Sequence, residues 1–274
     1  MMRLRFAGLV VVVSVAVALT TACGGGAGVG AGQEATYRAK RTPDNTPDLS
    51  GIWQANNTAN WDIEPHEARM GPVVALAAAF SVPAGLGVVE GEEIPYLPAA
   101  LEKRNANRAD WMKLDPEIKC YLPGIPRATY MPYPFEIVQS KDNVIFTYEF
   151  TSASRVVRMN SQEKSPAPSW MGWSIGKWDG ESLVIDVTDH MPDTWLDRAG
   201  NWHSDALKVT ERYTPIDANT LQYEATMEDP GVYAKPWKIK MPLYRRREPN
   251  MQLLEYKCVP FAEELLYGHL RKKP

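Results

Sequence analysis

The chain has 274 residues, with 30 basic and 33 acidic side chains and a formal net charge of −3 at pH 7. No basic tract suggests binding to DNA or RNA, so we expect no nucleic-acid partner. The 9 Trp, 12 Tyr and 22 Pro make an aromatic, loop-rich composition, which favours β structure over a helical bundle.

The first 23 residues are typical of a bacterial export signal. Arg3 and Arg5 precede an apolar run from Leu9 to Leu19, which stops at small residues before Cys23. The run is too short for a transmembrane helix, which needs about 20 apolar residues. We therefore predict a signal peptide over residues 1–23. Without Arg3 and Arg5, the exported chain carries 28 − 33 = −5 charges.

The segment Leu19-Thr20-Thr21-Ala22-Cys23 resembles a bacterial lipobox. The resemblance implies that Cys23 is acylated and anchors the protein to a membrane, on the periplasmic side of the cell envelope. Thr20 departs from the pattern, which prefers an aliphatic residue three positions before the cysteine. The alternative is ordinary cleavage after Ala22, which would leave Cys23 as a free thiol.

The rest of the chain divides into a tether and one domain. Residues 24–43 begin with a Gly- and Ala-rich stretch that can bury nothing, so we predict a flexible tether. Residues 44–274 are enough for one large domain, and no second linker interrupts them.

Two cysteines remain after Cys23. Cys120 and Cys258 form an even pair in a compartment that is predicted to be oxidising, so a disulfide between them is expected. The alternative is two separate buried thiols.

The N-terminal half of the domain has a short strand at Gly51 to Gln54 and two predicted helices, Glu67 to Phe80 and Pro98 to Trp111. From Phe135 onward, apolar residues alternate with polar ones, which is typical of strands with one buried face. The predicted strands are 135–139, 144–150, 154–159, 175–178, 183–187, 207–213, 221–227, 239–243 and 251–256, followed by a closing helix at 263–270.

Hairpin turns join several of these strands. Asp179-Gly180 is the strongest such signal, and Leu183, Ile185 and Val187 share one face of the strand that follows. Successive strands of this kind predict a mainly β fold, an antiparallel meander closed into a barrel or curved sheet, with a few short helices.

Four segments resemble a family of exported bacterial proteins with no assigned role. They are Pro47 to Trp53, Tyr133 to Ile137, Trp178 to Leu183 and Val209 to Tyr213. The meander is also similar to that of the lipocalin-like superfamily. The resemblance covers roughly residues 44 to 258 and implies a barrel with an apolar interior, but it transfers no catalytic residue.

The candidate site centres on the connection from Asp189 to Asp205. This connection far exceeds the roughly two to five residues of an ordinary hairpin loop, and long structured loops are often functional. It contains His190, His203, Trp195 and Trp202. We expect it to fold over one end of the barrel and to bring both histidines toward a pocket.

Glu211 shares a strand face with Val209 and Tyr213, and a carboxylate on an apolar face needs a partner or an upward pKa shift. One hypothesis makes His190 or His203 and Glu211 a general acid and base. The alternative is that Glu211 pairs with an internal Arg while the histidines and aspartates cap loop turns.

The same hypothesis assigns further residues to ligand binding. Arg127 or Arg212 would orient an anionic or carbonyl group. Trp195, Trp202, Tyr213 and Tyr223 would line the cavity.

Other chemistry has weaker support in the sequence. Asp193 and Asp197 with the two histidines, joined by Glu64 or His66, could bind a metal, but no spacing matches a zinc signature, so we predict none. No glycine-rich phosphate loop is present, so we expect no cofactor. Ser174 lies in a Gly-x-Ser-x-Gly pattern but lacks the strand-turn-helix context of a hydrolase nucleophile.

Three functions remain open. The first is a lipid-anchored periplasmic barrel that binds a small apolar or aromatic molecule. The second is a cofactor-independent hydrolase, lyase or isomerase that acts on such a molecule. The third is an envelope assembly factor with a protein partner that the sequence does not identify.

Overall fold

A computed structural model describes residues 37–270 of the protein. The predicted signal peptide, Cys23 and tether residues 24–36 lie outside the described residues. Nine strands form a closed barrel. They are β1 Gly51–Ala55, β2 Phe135–Gln139, β3 Asn143–Tyr148, β4 Ser154–Met159, β5 Trp173–Asp179, β6 Ser182–Thr188, β7 Lys208–Asp217, β8 Thr220–Glu228 and β9 Trp237–Arg245.

Helices are few and short, as predicted. The α-helices are α1 Pro98–Ala109, α2 Trp111–Leu114, α3 Arg127–Tyr130 and α4 Ala262–Tyr267. Three 3-10 helices lie at Val74–Phe80, Phe150–Ser152 and Gly268–Leu270. Among residues 37–270, none of the helices has the length and apolar character needed to cross a bilayer.

The mainly β barrel predicted from the alternating pattern is confirmed. Strands adjacent in sequence pair antiparallel, and β1 pairs with β9 to close the barrel, with Trp53 opposite Arg245. One step departs from a pure meander, because β4 and β5 are parallel, with Val157 opposite Ser174. Residues 160–172 return the chain from one end of the barrel to the other before β5 begins.

The alternation of side chains fills the barrel interior. In β8, Leu221, Tyr223, Ala225 and Met227 are all buried, whereas the residues between them are more exposed. The same period of two runs through β7, so the inward faces meet in one continuous core.

The barrel has two different ends. The turn end carries the hairpin turns after β2, β5 and β7, and residues 37–50 lie against it through hydrogen bonds from Ala39 to Glu181 and from Leu49 to Gln139. The cap end is covered by residues 56–134, which include α1 to α3, and by the connection between β6 and β7.

The predicted helix from Glu67 to Phe80 is correct only in its second half, where the structure has a 3-10 helix. His66 pairs with Gly85 and Arg69 with Val82 through antiparallel bridges, and only Val74–Phe80 is helical. Pro72 explains the difference, because proline lacks an N–H and disfavours helical backbone at the residue before it. The chain therefore forms a narrow two-stranded arm instead.

The predicted strand at 251–256 is also wrong, because residues 251–256 join no ladder. β9 already pairs with β8 on one edge and with β1 on the other, so the closed barrel offers it no free edge.

The disulfide between Cys120 and Cys258 is confirmed, with a Cα–Cα distance of 5.7 Å. It ties the C-terminal segment to the cap. The folded part begins before residue 44, the predicted start of the domain, because Ala39 is buried and Arg41 pairs with Pro47 and forms an ion pair with Glu181.

Candidate functional site

The connection between β6 and β7 lies between the cap and the barrel. The Tyr130 hydroxyl donates to the Leu196 carbonyl at 2.7 Å, and the Arg198 amide donates to the Asn60 carbonyl at 2.9 Å. At its far end, Asp229 accepts hydrogen bonds from the amide and hydroxyl of Ser204. The connection is therefore pinned at several points along its length.

The two predicted histidines lie together, with ring centroids 5.7 Å apart, and both are buried. His203 shares a hydrogen bond of 2.6 Å with the Thr194 hydroxyl and another of 2.8 Å with the Ser204 carbonyl. Burial lowers the pKa of His203. Burial, and then repulsion from His203, lowers the pKa of His190 to about 3. Both rings are therefore neutral at pH 7.

Glu211 does not pair with either imidazole. Its carboxylate accepts hydrogen bonds from Arg155 at 2.6 and 3.2 Å, and from the hydroxyls of Tyr213 and Tyr223 at 2.9 Å each. The alternative drawn from the sequence, a Glu211 carboxylate neutralised by an internal arginine, is the arrangement found. Because the hydroxyls of Tyr213 and Tyr223 donate to Glu211, these tyrosines do not present them to a cavity.

Arg155 was missed by the sequence analysis. Burial alone would lower its pKa, but the Glu211 carboxylate raises the pKa well above its usual range. The signal was available, because Arg155 shares the inward face of β4 with Val157. Its guanidinium also lies over the Phe146 ring, with 4.5 Å between the guanidinium carbon and the ring centroid.

Some buried polar atoms around this cluster make no hydrogen bond of normal geometry within residues 37–270. They are Arg155 Nε and both ring nitrogens of His190. Within the described residues, neither ring nitrogen of His190 pairs with a carboxylate or hydroxyl that could orient the ring for general acid-base chemistry.

The two arginines proposed to orient a ligand do not face the barrel interior. Arg127 is buried in the cap, where it donates to Asp115 at 2.8 and 2.9 Å and to Asn60 at 3.1 Å. Arg212 points outward from β7 and donates to Asp179 at 2.6 Å, because it alternates with the inward-facing Glu211. Neither arginine reaches a site inside the barrel.

The two tryptophans pack with the cap rather than around a cavity. Their backbones pair in an antiparallel bridge. Trp202 donates from its ring nitrogen to the Ala100 carbonyl at 3.0 Å, and Lys103 lies 3.6 Å from the Trp202 ring centroid. Trp195 is buried.

The other candidates from the sequence, Asp197, a metal site and Ser174, do not form a functional site in the described part of the chain. Asp197 accepts hydrogen bonds from the amides of Ile63, Ala199 and Asn201, which organise the loop. Within residues 37–270, no group of three or more His, Cys, Asp or Glu side chains is arranged to hold a metal ion. Ser174 is buried on the inward face of β5, so it is not a displayed nucleophile.

A pocket at the turn end was not predicted from the sequence. Its volume is about 320 Å³, and we call it the mouth pocket. Leu49, Trp53 and Leu221 contribute its apolar wall, and its polar wall comes from the strand ends, the β7–β8 turn and the N-terminal segment. The full lining is Tyr37, Ala39, Lys40, Asp48, Leu49, Ser50, Trp53, Pro215, Asp217, Ala218, Asn219, Leu221 and Arg245.

Arg245 lies in the wall of the mouth pocket, which Lys40, Asp48 and Asp217 also line. Its guanidinium carbon lies 4.1 Å from the centroid of the Trp53 ring, and it donates to the carbonyls of Ser50 at 2.7 Å and Ala218 at 3.2 Å. Gly51 permits this approach, since a Cβ atom there would lie 2.2 Å from Arg245 Nη1. A guanidinium has five N–H donors, so 5 − 2 = 3 of them make no hydrogen bond within the described part of the chain.

No protein-family model matches the chain, and a search of curated proteins finds no significant match.

Proposed function

We propose that this protein binds a small molecule with an apolar or aromatic body in the mouth pocket, and that it does so at the cell envelope, anchored through Cys23. The observation that carries the proposal is the wall of the pocket. In this wall, the apolar residues Leu49, Trp53 and Leu221 lie next to Arg245, whose guanidinium has donors that make no hydrogen bond within the described residues.

The size and chemistry of the pocket set limits on the ligand. A volume of about 320 Å³ is near the lower end of the range for small-molecule sites, so the ligand is small. Leu49, Trp53 and Leu221 suit an aromatic ring or a short aliphatic group. The unused donors of Arg245 suit a carbonyl or acidic group at the other end of the ligand, and Asp48 and Asp217 balance the charges of Lys40 and Arg245 in the lining.

The envelope location rests on two independent features. The N-terminal pattern of basic residues, apolar run and cysteine is typical of an exported lipoprotein. The disulfide between Cys120 and Cys258 suits an oxidising compartment, where such bonds persist.

The enzyme hypothesis built on His190, His203 and Glu211 has less support from the geometry. Both imidazoles are sealed from solvent, and the carboxylate is committed to Arg155. A binding function needs only the mouth pocket and requires no group to change its protonation state.

Titration with 8-anilinonaphthalene-1-sulfonate tests the proposal, because this probe has an aromatic body and one acidic group. Its fluorescence should rise on binding to the folded protein. Ala218→Trp should fill the pocket and abolish the rise, and Arg245→Gln should weaken binding about tenfold, the effect of one lost hydrogen bond to a charged group.

Ala167→Trp is the matched control, since Ala167 is an exposed alanine in the connection between β4 and β5. It should bind the probe as the natural chain does. Equal binding by Ala218→Trp and Ala167→Trp would show that the probe binds elsewhere and would contradict the proposal.

A further inference from the structure

A second cleft lies at the cap end, between the base of the two-stranded arm and α1. Its volume is about 600 Å³, and it shares no lining residue with the mouth pocket. Three arginines line it, Arg69, Arg104 and Arg108, together with Asp62, Glu64 and His66. We call it the arginine cleft.

One of the three arginines makes several hydrogen bonds within the fold. Arg104 donates to Glu64 at 2.6 Å and to Asn201 at 3.2 Å. The other carboxylate oxygen of Glu64 accepts from the Ile94 amide at 3.0 Å. Arg104 and Glu64 therefore form a fixed wall of the cleft. Arg69 and Arg108 are held differently.

Arg69 and Arg108 converge on a single buried carboxylate. Their nearest guanidinium nitrogens lie 4.0 and 3.7 Å from Asp62 Oδ2, which is beyond hydrogen-bond distance. Neither side chain makes a hydrogen bond within residues 37–270, although both are about one third exposed, at 34% and 37%. Two cations thus share one anion and keep all their donors free.

Holding these two guanidinium groups together has an electrostatic cost. Burial, and then repulsion from Arg108, lowers the pKa of Arg69, and Asp62 only partly offsets this. An arrangement of like charges with unused donors is relieved by an anion that bridges them, because charge-assisted hydrogen bonds are the stronger ones.

We propose that Arg69 and Arg108 form a binding site for the carboxylate or phosphate group of a small molecule. The anion contacts both guanidinium groups from the solvent side, while Asp62 holds them in place from below. This site is additional to the mouth pocket and does not depend on it.

The rim of the cleft limits the size of the ligand. Glu67, Glu92 and Glu93 also line it, and all three are exposed. With Asp62 and Glu64 they bring five carboxylates to a lining that has three arginines, so an anion is held only where it contacts both guanidinium groups directly. The site therefore fits a small metabolite-sized ligand.

Isothermal titration of the folded protein with inorganic phosphate, and separately with acetate, tests the proposal and distinguishes the two anion classes. Binding of at least one anion should saturate with one site. Arg69→Gln and Arg108→Gln should each weaken it about tenfold, the effect of one lost charged hydrogen bond. Arg212→Gln, at an arginine outside the cleft with the same exposure as Arg108, should leave it unchanged.

Chemical shift mapping on the unmodified protein provides a readout that does not depend on how the variants fold. The anion should shift the backbone amides of His66, Arg69 and Arg108. Shifts confined to other surfaces, absence of saturable binding to both anions, or equal binding by the cleft variants and Arg212→Gln would overturn the proposal. Binding of the aromatic probe at the mouth pocket should be the same in all these variants.

Discussion

The Glu211 carboxylate lies at the centre of the barrel, where Arg155, Tyr213 and Tyr223 satisfy it. Removing one member of a buried ion pair leaves the other charge unpaired, which typically costs 3 to 5 kcal/mol. We expect Glu211→Gln to lower the free energy of unfolding by about that amount, measured by urea denaturation.

Glu224→Gln is the control, because Glu224 pairs with Lys240 at 3.4 Å on the outer face of β8. It should cost less than about 1 kcal/mol, as exposed ion pairs do. Arg155→Met combined with Glu211→Gln should recover part of the loss. Equal and small effects of Glu211→Gln and Glu224→Gln would mean that the central pair is not desolvated.

His190 should make the protein sensitive to acid. Burial, and then His203, lowers its folded-state pKa to about 3, against about 6.5 in the unfolded chain. The unfolded chain takes up the proton first as pH falls, so the stability contribution is complete above about pH 6.5 and is lost between about pH 6.5 and 3.

His190→Leu removes this titration. Between pH 7 and 4.5, its free energy of unfolding should fall less than that of the natural chain, by roughly 2 to 3 kcal/mol. Urea denaturation at the two pH values measures the difference. His269→Gln, at an exposed position, should behave like the natural chain. If His190→Leu loses as much stability as His269→Gln, the ring titrates normally in the folded state.

The direction of Glu211 was predictable from the alternation in its strand, but its partner was not. Arg155 obeys the same alternation in β4. The pairing of Arg155 with Glu211 depends on the stagger of the strands around the closed barrel. The sequence of a single strand does not reveal this stagger. The same alternation places Arg212 outside the barrel, so its assignment to ligand binding could have been rejected from the sequence.

The Cys120–Cys258 disulfide holds the C-terminal segment against the cap, together with a hydrogen bond from the Phe261 amide to the Ile118 carbonyl. Cys258→Ser should lower the free energy of unfolding by about 4 to 5 kcal/mol, since the bond closes a long loop. The melting temperature under oxidising conditions measures this. Val259→Ser, at an exposed neighbouring position, should have little effect. A similar melting temperature for both variants would show that the bond adds no stability.

Strands that bury one face were predicted with nearly correct bounds, because apolar and polar residues alternate along them in the sequence. The segments at 67–80 and 251–256 were not, for two different reasons. Pro72 interrupts an apolar run that otherwise suits a helix, and 251–256 has a strand-like composition but no available edge. Edge availability depends on closure of the whole barrel, so it cannot be deduced from one segment.

The proposed membrane anchor depends on one residue outside the described structure. Cys23→Ser should move the exported protein from the membrane fraction to the soluble fraction and abolish incorporation of labelled palmitate, because a serine side chain has no thiol to acylate. Ala22→Gly, which keeps a small residue before the cysteine, is the control and should remain in the membrane fraction. Retention of Cys23→Ser in the membrane would contradict the anchor.

Ligand binding at the turn end of the barrel is tested most directly by methyl NMR of the folded protein with 8-anilinonaphthalene-1-sulfonate. Leu49 and Leu221 line the mouth pocket, whereas Leu265 and Leu266 are the exposed leucines of α4. Nuclear Overhauser effects should connect the probe to the methyl groups of Leu49 and Leu221. Contacts to Leu265 and Leu266 instead, with none at the mouth pocket, would contradict it.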